Sequence, residues 1–213
     1  VEDIGIKRAD GKVYVLPKMG DCSDIKVGQD VDFNSPASNY FATRFNKAKI
    51  VKGKTYLEGG NVLNTILKNG KAGAIIGAGS IEYSLRAMHL SDTPNNRSLV
   101  KRQIAKDLGL ELKNVSFIPQ FDFHIDMFYR PLKNGQVAVP DYQEAINVLK
   151  RTKIAGMDAR NKNLLINQLA KAYKRNANSL INAEKELMKS GYKLVKIPCF
   201  SLPTNMCDNT GIN

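Results

Sequence analysis

Tryptophan is absent from the sequence, histidine occurs twice, cysteine three times, and aromatic residues make up only 8% of the chain. The cysteines (Cys22, Cys199, Cys207) are odd in number and show no Cys-x-x-Cys spacing. That argues against a disulfide framework and a structural zinc site, and leaves room for a free reactive thiol. No apolar run reaches the roughly 18 residues that a membrane-spanning helix needs. No basic-then-apolar leader opens the chain, so a cytoplasmic and a secreted location both stay open. The chain does not begin with Met, which reads as a processed product or a fragment. An RNA-recognition signature is also missing, and the low aromatic content supplies few stacking platforms for bases.

What is present describes a globular protein. The 213 residues are 43% hydrophobic and 24% charged, enough for one ordinary domain with its own core, or at most two small ones. Lys plus Arg (32) minus Asp plus Glu (20) gives +12, which suggests an anionic partner or surface. The best candidates for that contact lie on the helical stretch 150–175: Lys150, Arg151, Lys153, Arg160, Lys162, Lys171, Lys174 and Arg175. Their ordinary reading is a solvated helix face.

Periodicity and turn residues give an order of elements. Ile4 to Ile6 and Val13 to Leu16 flank Asp10-Gly11 and read as a hairpin. Val62-Leu63 and Ala74 to Gly77 read as buried strands around the Asn69-Gly70 turn. Helices follow near 80–88 and from about Asn96 to the stop signal Gly109, then a strand at Val115 to Ile118. The order repeats: a strand over 121–129, an Asn134-Gly135 turn, a strand over 136–139, helical sequence, and a strand over 193–197. The helix over about 160–190 would span roughly 45 Å at 1.5 Å per residue and is expected to project beyond the core. Two β-β-α-β units result, roughly 56–119 and 121–198, with the opening hairpin as part of a third.

Three short segments carry candidate chemistry: Glu2-Asp3-Ile4-Gly5, Glu58-Gly59-Gly60-Asn61 and His124-Ile125-Asp126-Met127. Singly, each has a plain structural reading as a turn, a cap or a satisfied histidine. Strand alternation through the third would put Asp122, His124 and Asp126 on one face, lining a cleft, with Phe123, Ile125 and Met127 on the other.

In this order the three segments resemble the guanidine-modifying (pentein) superfamily, which includes agmatine deiminase, arginine and peptidylarginine deiminases, dimethylarginine hydrolases and amidinotransferases. Glu2-Asp3-Ile4-Gly5 resembles the Arg-Asp-x-Gly element of agmatine deiminases, with Glu2 in place of Arg. Tyr56 to Asn61 and Phe123 to Met127, followed by Arg130-Pro131, match well, and Val195 to Pro198 resembles the strand before the last module. The resemblance implies an α/β fold, a propeller-like fan of five ββαβ modules around a polar channel. About two and a half such modules are legible here. It also implies a single catalytic-type domain over 1–213, incomplete at both ends.

The implied activity is a Cys-dependent hydrolase acting on a guanidinium group of an agmatine, arginine or arginine-containing protein substrate. Asp3 and Asp126 would grip the guanidinium, and His124 would act as general acid and base. Glu58 would orient His124, and Gly59, Gly60 and Asn61 would form the substrate-side turn. A cysteine thiolate would form a covalent amidino-thioether. The resemblance calls for no metal and no organic cofactor. Cys199 matches a strand end that is not catalytic in the family and Cys22 comes too early. The nucleophile is therefore Cys207 or a cysteine beyond Asn213, and an oligomer or second chain could complete the site. The alternatives are amidino transfer on the same fold and a basic nucleic-acid- or protein-binding module. Gly77-Ala78-Gly79 after a strand resembles a dinucleotide loop, but Glu82 stands where the third glycine belongs.

Overall fold

The computed structural model describes residues 6–15 and 50–203. They form three three-stranded sheets with one repeated pairing rule. In the first, β1 (Ile6–Lys7) runs antiparallel to β2 (Val13–Val15), which pairs in parallel with β3 (Ile50–Lys52). In the second, β4 (Val62–Ile66) is antiparallel to β5 (Ala72–Gly77), and β5 is parallel to β6 (Val115–Ile118). In the third, β7 (Arg130–Pro131) is antiparallel to β8 (Gln136–Asp141), and β8 is parallel to β9 (Lys193–Pro198). Ile50 to Lys52 thus closes a first sheet of the same design as the other two.

Local chemistry sets the turns and helix ends. Asn134 and Gly135 have φ of 60° and 68°, the pair of positive values that a tight primed hairpin turn requires between β7 and β8. Helix α1 (Gly79–Ala87) and helix α2 (Pro94–Asp107) connect β5 to β6, the second capped by the Thr93 hydroxyl, which accepts from Asn96 N–H at 3.2 Å. Helix α3 (Tyr142–Arg151) and helix α4 (Ala159–Lys189) connect β8 to β9. Asp141 and Asp158 cap them, accepting from Glu144 N–H at 2.9 Å and Asn161 N–H at 2.7 Å.

The basic stretch 150–175 is therefore not one helix. Gly156 at φ 78° and the Asp158 cap divide it between the end of α3 and the first half of α4. Lys162 bonds back across this break, donating to the carbonyls of Thr152 at 2.9 Å and Lys150 at 3.4 Å, where the carbonyls at the end of α3 attract a cation. Nor does α4 project from the core. Leu169, Ala172 and Leu180 bury against Tyr142, Ala145, Ile146 and Leu149 of α3, and Ala183 and Leu187 join the core that holds Ile118 of β6 and Val137 and Val139 of β8. One apolar stripe joins two cores, so the length of the helix is used throughout. No helix among the described residues is long and apolar enough to cross a membrane.

The second sheet is enclosed on both faces. Val62, Ala74, Ile76 and Val115 face α1 and α2 together with Ile6 and Leu57. Leu63, Ile75 and Ile118 face the opposite way, against Val137 and Val139 of the third sheet and the end of α4. Alternate residues of one strand thus serve two cores.

Candidate functional site

Glu58 and His124 each stand just before the first strand of their unit. Glu58 precedes the 3-10 turn Gly59–Asn61 that leads into β4. His124 lies in the segment that leads into β7. That segment is not the strand expected over 121–129. The amides of Phe128 and Tyr129 both donate to the carbonyl of Ile125, at 3.1 and 2.9 Å, and this coils residues 125–129 into a turn. The expected two-face alternation fails with it: Ile125 is 2% exposed, whereas Phe123 and Met127 are 58% and 43% exposed.

The two lead-ins are tied together through Asn61, which is buried. Its side-chain amide donates to Glu58 Oε2 at 3.1 Å and to the carbonyl of Phe123 at 3.3 Å, and its Oδ1 accepts from Ile125 N–H at 3.3 Å. The amide of Asp126 donates to the carbonyl of Gly60 at 3.1 Å. Asn61 therefore spends its polar atoms inside the protein, holding the carboxylate and the histidine loop in one register.

This register brings His124 Nε2 to 3.5 Å from Glu58 Oε2, with both side chains about one-fifth exposed (18% and 19%). The distance is that of an ion pair once the imidazole is protonated. No hydrogen bond forms between them, and Nε2 is buried with no hydrogen-bond partner among the described residues. The Phe123 ring stacks on the imidazole with centroids 4.0 Å apart. Gly60 makes room for the ring: a Cβ there would lie 2.2 Å from His124 Nδ1. A glycine expected to admit substrate thus first admits the histidine.

Supports appear that the sequence did not advertise. Gln120 accepts from Gly79 N–H at 3.1 Å at the start of α1 and donates to the carbonyls of Asp122 and Phe123. The Gly79 amide is therefore occupied by a side chain, which removes it from a phosphate-binding reading of Gly77-Ala78-Gly79. Buried Asp107 accepts from Lys54 N–H, Thr55 N–H and the Thr55 hydroxyl at 2.8, 2.9 and 2.8 Å, and from Gln103 at 2.7 Å. Ser84 on α1 exchanges hydrogen bonds with both backbone groups of Tyr56. Residues 54–57 are thus clamped from behind and deliver Glu58 to its place. A buried carboxylate after a helical pattern and a serine on a helix face gave no signal beyond local structure.

Asp126 is half-buried and lines an open groove of about 300 Å³ with Arg130, Ala138, Pro140, Ile197 and Cys199 among its neighbours. Burial pushes the Cys199 thiol above its ordinary value, the reverse of what activates a nucleophile. Asp3, Cys22 and Cys207 lie outside the described residues. Among the described residues, no three His, Cys, Asp or Glu side chains gather in a metal-binding cluster.

No protein-family model matches the chain, and no curated protein does. Solved structures do. An agmatine deiminase of C. jejuni, a cysteine-to-serine variant with substrate bound, matches at 18% identity and a TM-score of 0.51, covering 88% of this chain and 46% of that one. A further C. jejuni agmatine deiminase matches at 16% identity and 0.48, over 88% of this chain and 45% of that one. A protein provisionally named a peptidyl-arginine deiminase matches at 16% and 0.48, over 92% and 50%. The chain spans half the length, or slightly less, of these three solved structures.

Proposed function

We propose, from the pentein-type guanidine-modifying fold that the chain has, that it belongs to a Cys-dependent hydrolase acting on a guanidinium group. The observation that carries the reading is the meeting of His124 and Glu58 at 3.5 Å on a glycine that leaves space for the imidazole. Two motifs far apart in sequence converge at equivalent lead-ins of two successive sheets. In this reading, residues 1–213 form one catalytic-type domain whose three sheets are modules of a larger fan.

The chemistry assigned to each group is as follows. The Asp126 carboxylate, with Asp3, holds the cationic guanidinium by charge-assisted hydrogen bonds. A cysteine thiolate forms a C–S bond at the guanidinium carbon, and His124 protonates the departing nitrogen so that the C–N bond breaks and an amine or ammonia leaves. The amidino-thioether that remains is attacked by water, which gives its proton to His124. The C–S bond then breaks, releasing the ureido product and regenerating the thiolate. Glu58 stabilises the protonated imidazole in both halves of this cycle, and Asn61 and Gly60 position the pair.

The test is ureido-product release from agmatine, arginine and a protein-arginine substrate, with iodoacetamide in parallel. The 213-residue chain is compared with any longer parent. Turnover blocked by iodoacetamide and lost in His124→Ala supports the reading, with a loss on the order of 10²–10⁴-fold for a general acid–base residue. Activity in the short chain makes Cys207 the nucleophile to replace next; activity in a longer parent alone assigns it beyond Asn213. No turnover in either form, or turnover indifferent to His124→Ala, overturns it.

A further inference from the structure

Glu58 and His124 lie at the entry to their strands, and the opposite end of the same strands gathers lysines. Four segments meet there: the turn from β4 to β5 (66–71), the 3-10 turn before β6 (111–113), the turn from β7 to β8 (132–135), and the close of α4 with its exit into β9 (188–193). They sit side by side. A Cβ on Gly135 would lie 2.9 Å from Lys68 N, and a Cβ on Gly73 would lie 2.9 Å from the Asn114 carbonyl oxygen. Lys193 N–H donates to the Gly135 carbonyl at 2.9 Å. The segments hold six lysines (Lys68, Lys71, Lys113, Lys133, Lys189 and Lys193), all exposed, and no arginine. Glu111 is their one acid and pairs with Lys113 at 2.7 Å and Lys71 at 3.8 Å; Glu186 stands just before them on α4. Lys68, Lys133, Lys189 and Lys193 make no ion pair among the described residues. Three of the segments also expose an aliphatic side chain close to a lysine in sequence: Ile66 at 54%, Leu112 at 43% and Met188 at 54%.

We propose that this end docks on a bilayer surface carrying anionic lipid headgroups, with the lysines on the phosphates and the three aliphatic side chains entering the headgroup boundary. The proposal stands apart from the guanidinium chemistry. An anionic bilayer is the partner that uses both features at once, cations at its surface and apolar groups just beneath it. Lysine suits this position, since its long apolar stem follows the aliphatic contact while its ammonium stays at the polar surface. Nucleic acid would take up the lysines and leave Ile66, Leu112 and Met188 without a role. The four segments also lack the arginine forks that favour nucleic-acid phosphates, and their one aromatic residue, Tyr192, is buried and offers no stacking surface.

Flotation of the full 213-residue chain with vesicles tests this, comparing pure phosphatidylcholine with vesicles in which about a quarter of the lipid is phosphatidylglycerol. Binding to the anionic vesicles alone, weakening as salt rises, is expected. Lys68→Gln combined with Lys133→Gln should lower it roughly 20–30-fold, at about fivefold per lysine near the surface. Lys171→Gln combined with Lys174→Gln makes the same charge change in the middle of α4 and should cost less than about threefold. The chain has no tryptophan, so Met188→Trp adds a single reporter whose emission should shift to the blue, and be quenched by brominated lipid, when vesicles bind. All these positions are exposed, so the variants are expected to fold, which a thermal melt checks. Failure to bind anionic vesicles, equal binding to neutral ones, equal losses from the two double variants, or unshifted emission from vesicle-bound Met188→Trp overturns the proposal. So does retention of a duplex oligonucleotide at a salt concentration that releases the anionic vesicles, which would assign the lysines to nucleic-acid phosphates.

Discussion

The second and third sheets follow the same pairing rule, an antiparallel hairpin with a parallel strand added beside its second member, yet they are enclosed differently. The second has helices on one face and the third sheet with the end of α4 on the other, so alternate residues of β4 and β5 enter different cores. The third is buried throughout residues 137–140 of β8, with Ala138, Val139 and Pro140 also among the residues lining the groove. Every residue of β9 keeps at least partial exposure. The two sheets also receive the chain differently, through a short 3-10 turn in one and a longer coiled segment in the other. The sheets supply a repeated frame; the lead-ins supply the candidate chemistry.

That division predicts that lesions in a lead-in damage function and lesions in the frame damage stability. The largest expected functional effect outside the proposed acid–base pair is Gly60→Ala. Its methyl group would overlap the His124 ring, and displacing an acid–base group by about 1 Å costs on the order of 10²-fold in kcat/KM. Steady-state kinetics should show that loss with a melting temperature near that of the parent; equal activity would break the comparison.

Asp107→Ala is the opposite case. It removes a carboxylate that satisfies two backbone amides, a hydroxyl and the Gln103 amide, and leaving such buried donors unpaired costs about 3 kcal/mol. Urea unfolding measures this, and a loss below about 1 kcal/mol would mean water replaces the carboxylate.

Alkaline pH should separate the two sheets. Burial raises the phenols of Tyr129, Tyr142 and Tyr192 above their ordinary 10.0 and the Cys199 thiol above 9.0, and all four belong to the third unit. The folded state holds these protons longer than the unfolded chain, so their contribution is full below the ordinary values and is lost as pH rises through and beyond them. Stability should fall from about pH 9–10 upward, with amide exchange accelerating first around β8 and β9. Earlier exchange around β4 and β5 would contradict the assignment.

The smallest effect concerns His89, which closes α1 at φ 52°. Its amide donates to the Arg86 carbonyl, and Leu90 N–H donates to the Leu85 carbonyl, a helix stop usually made by glycine. His89→Gly should raise stability by up to about 1 kcal/mol and leave ligand binding unchanged, since this exposed histidine lies at the end of α1 and not among the candidate site residues.

Much of this was legible in the chain because it rests on short-range rules. Asn134-Gly135 marks a hairpin by its backbone freedom, Gly109 and Gly191 mark helix ends, and the period of Leu165 to Leu187 marks α4. Phe121 to Tyr129 misled because alternating polar and apolar residues satisfy a strand template equally well when the chain coils. The hydrogen bonds from residues 128 and 129 back to Ile125 decided the matter, and no pattern in the segment specifies them.

The sequence by itself determined the repeated order of strands and helices and the chemistry available at Glu58, His124 and Asp126, since turn preference, periodicity and side-chain type are local properties. Tertiary structure alone decided that Asn61 would bind two lead-ins together, that Gly60 would yield its space to an imidazole, and that Asp126 and Arg130 would share a groove. Those depend on which backbone atoms approach within hydrogen-bond or van der Waals distance, and that is fixed only when the sheets bury their faces against one another.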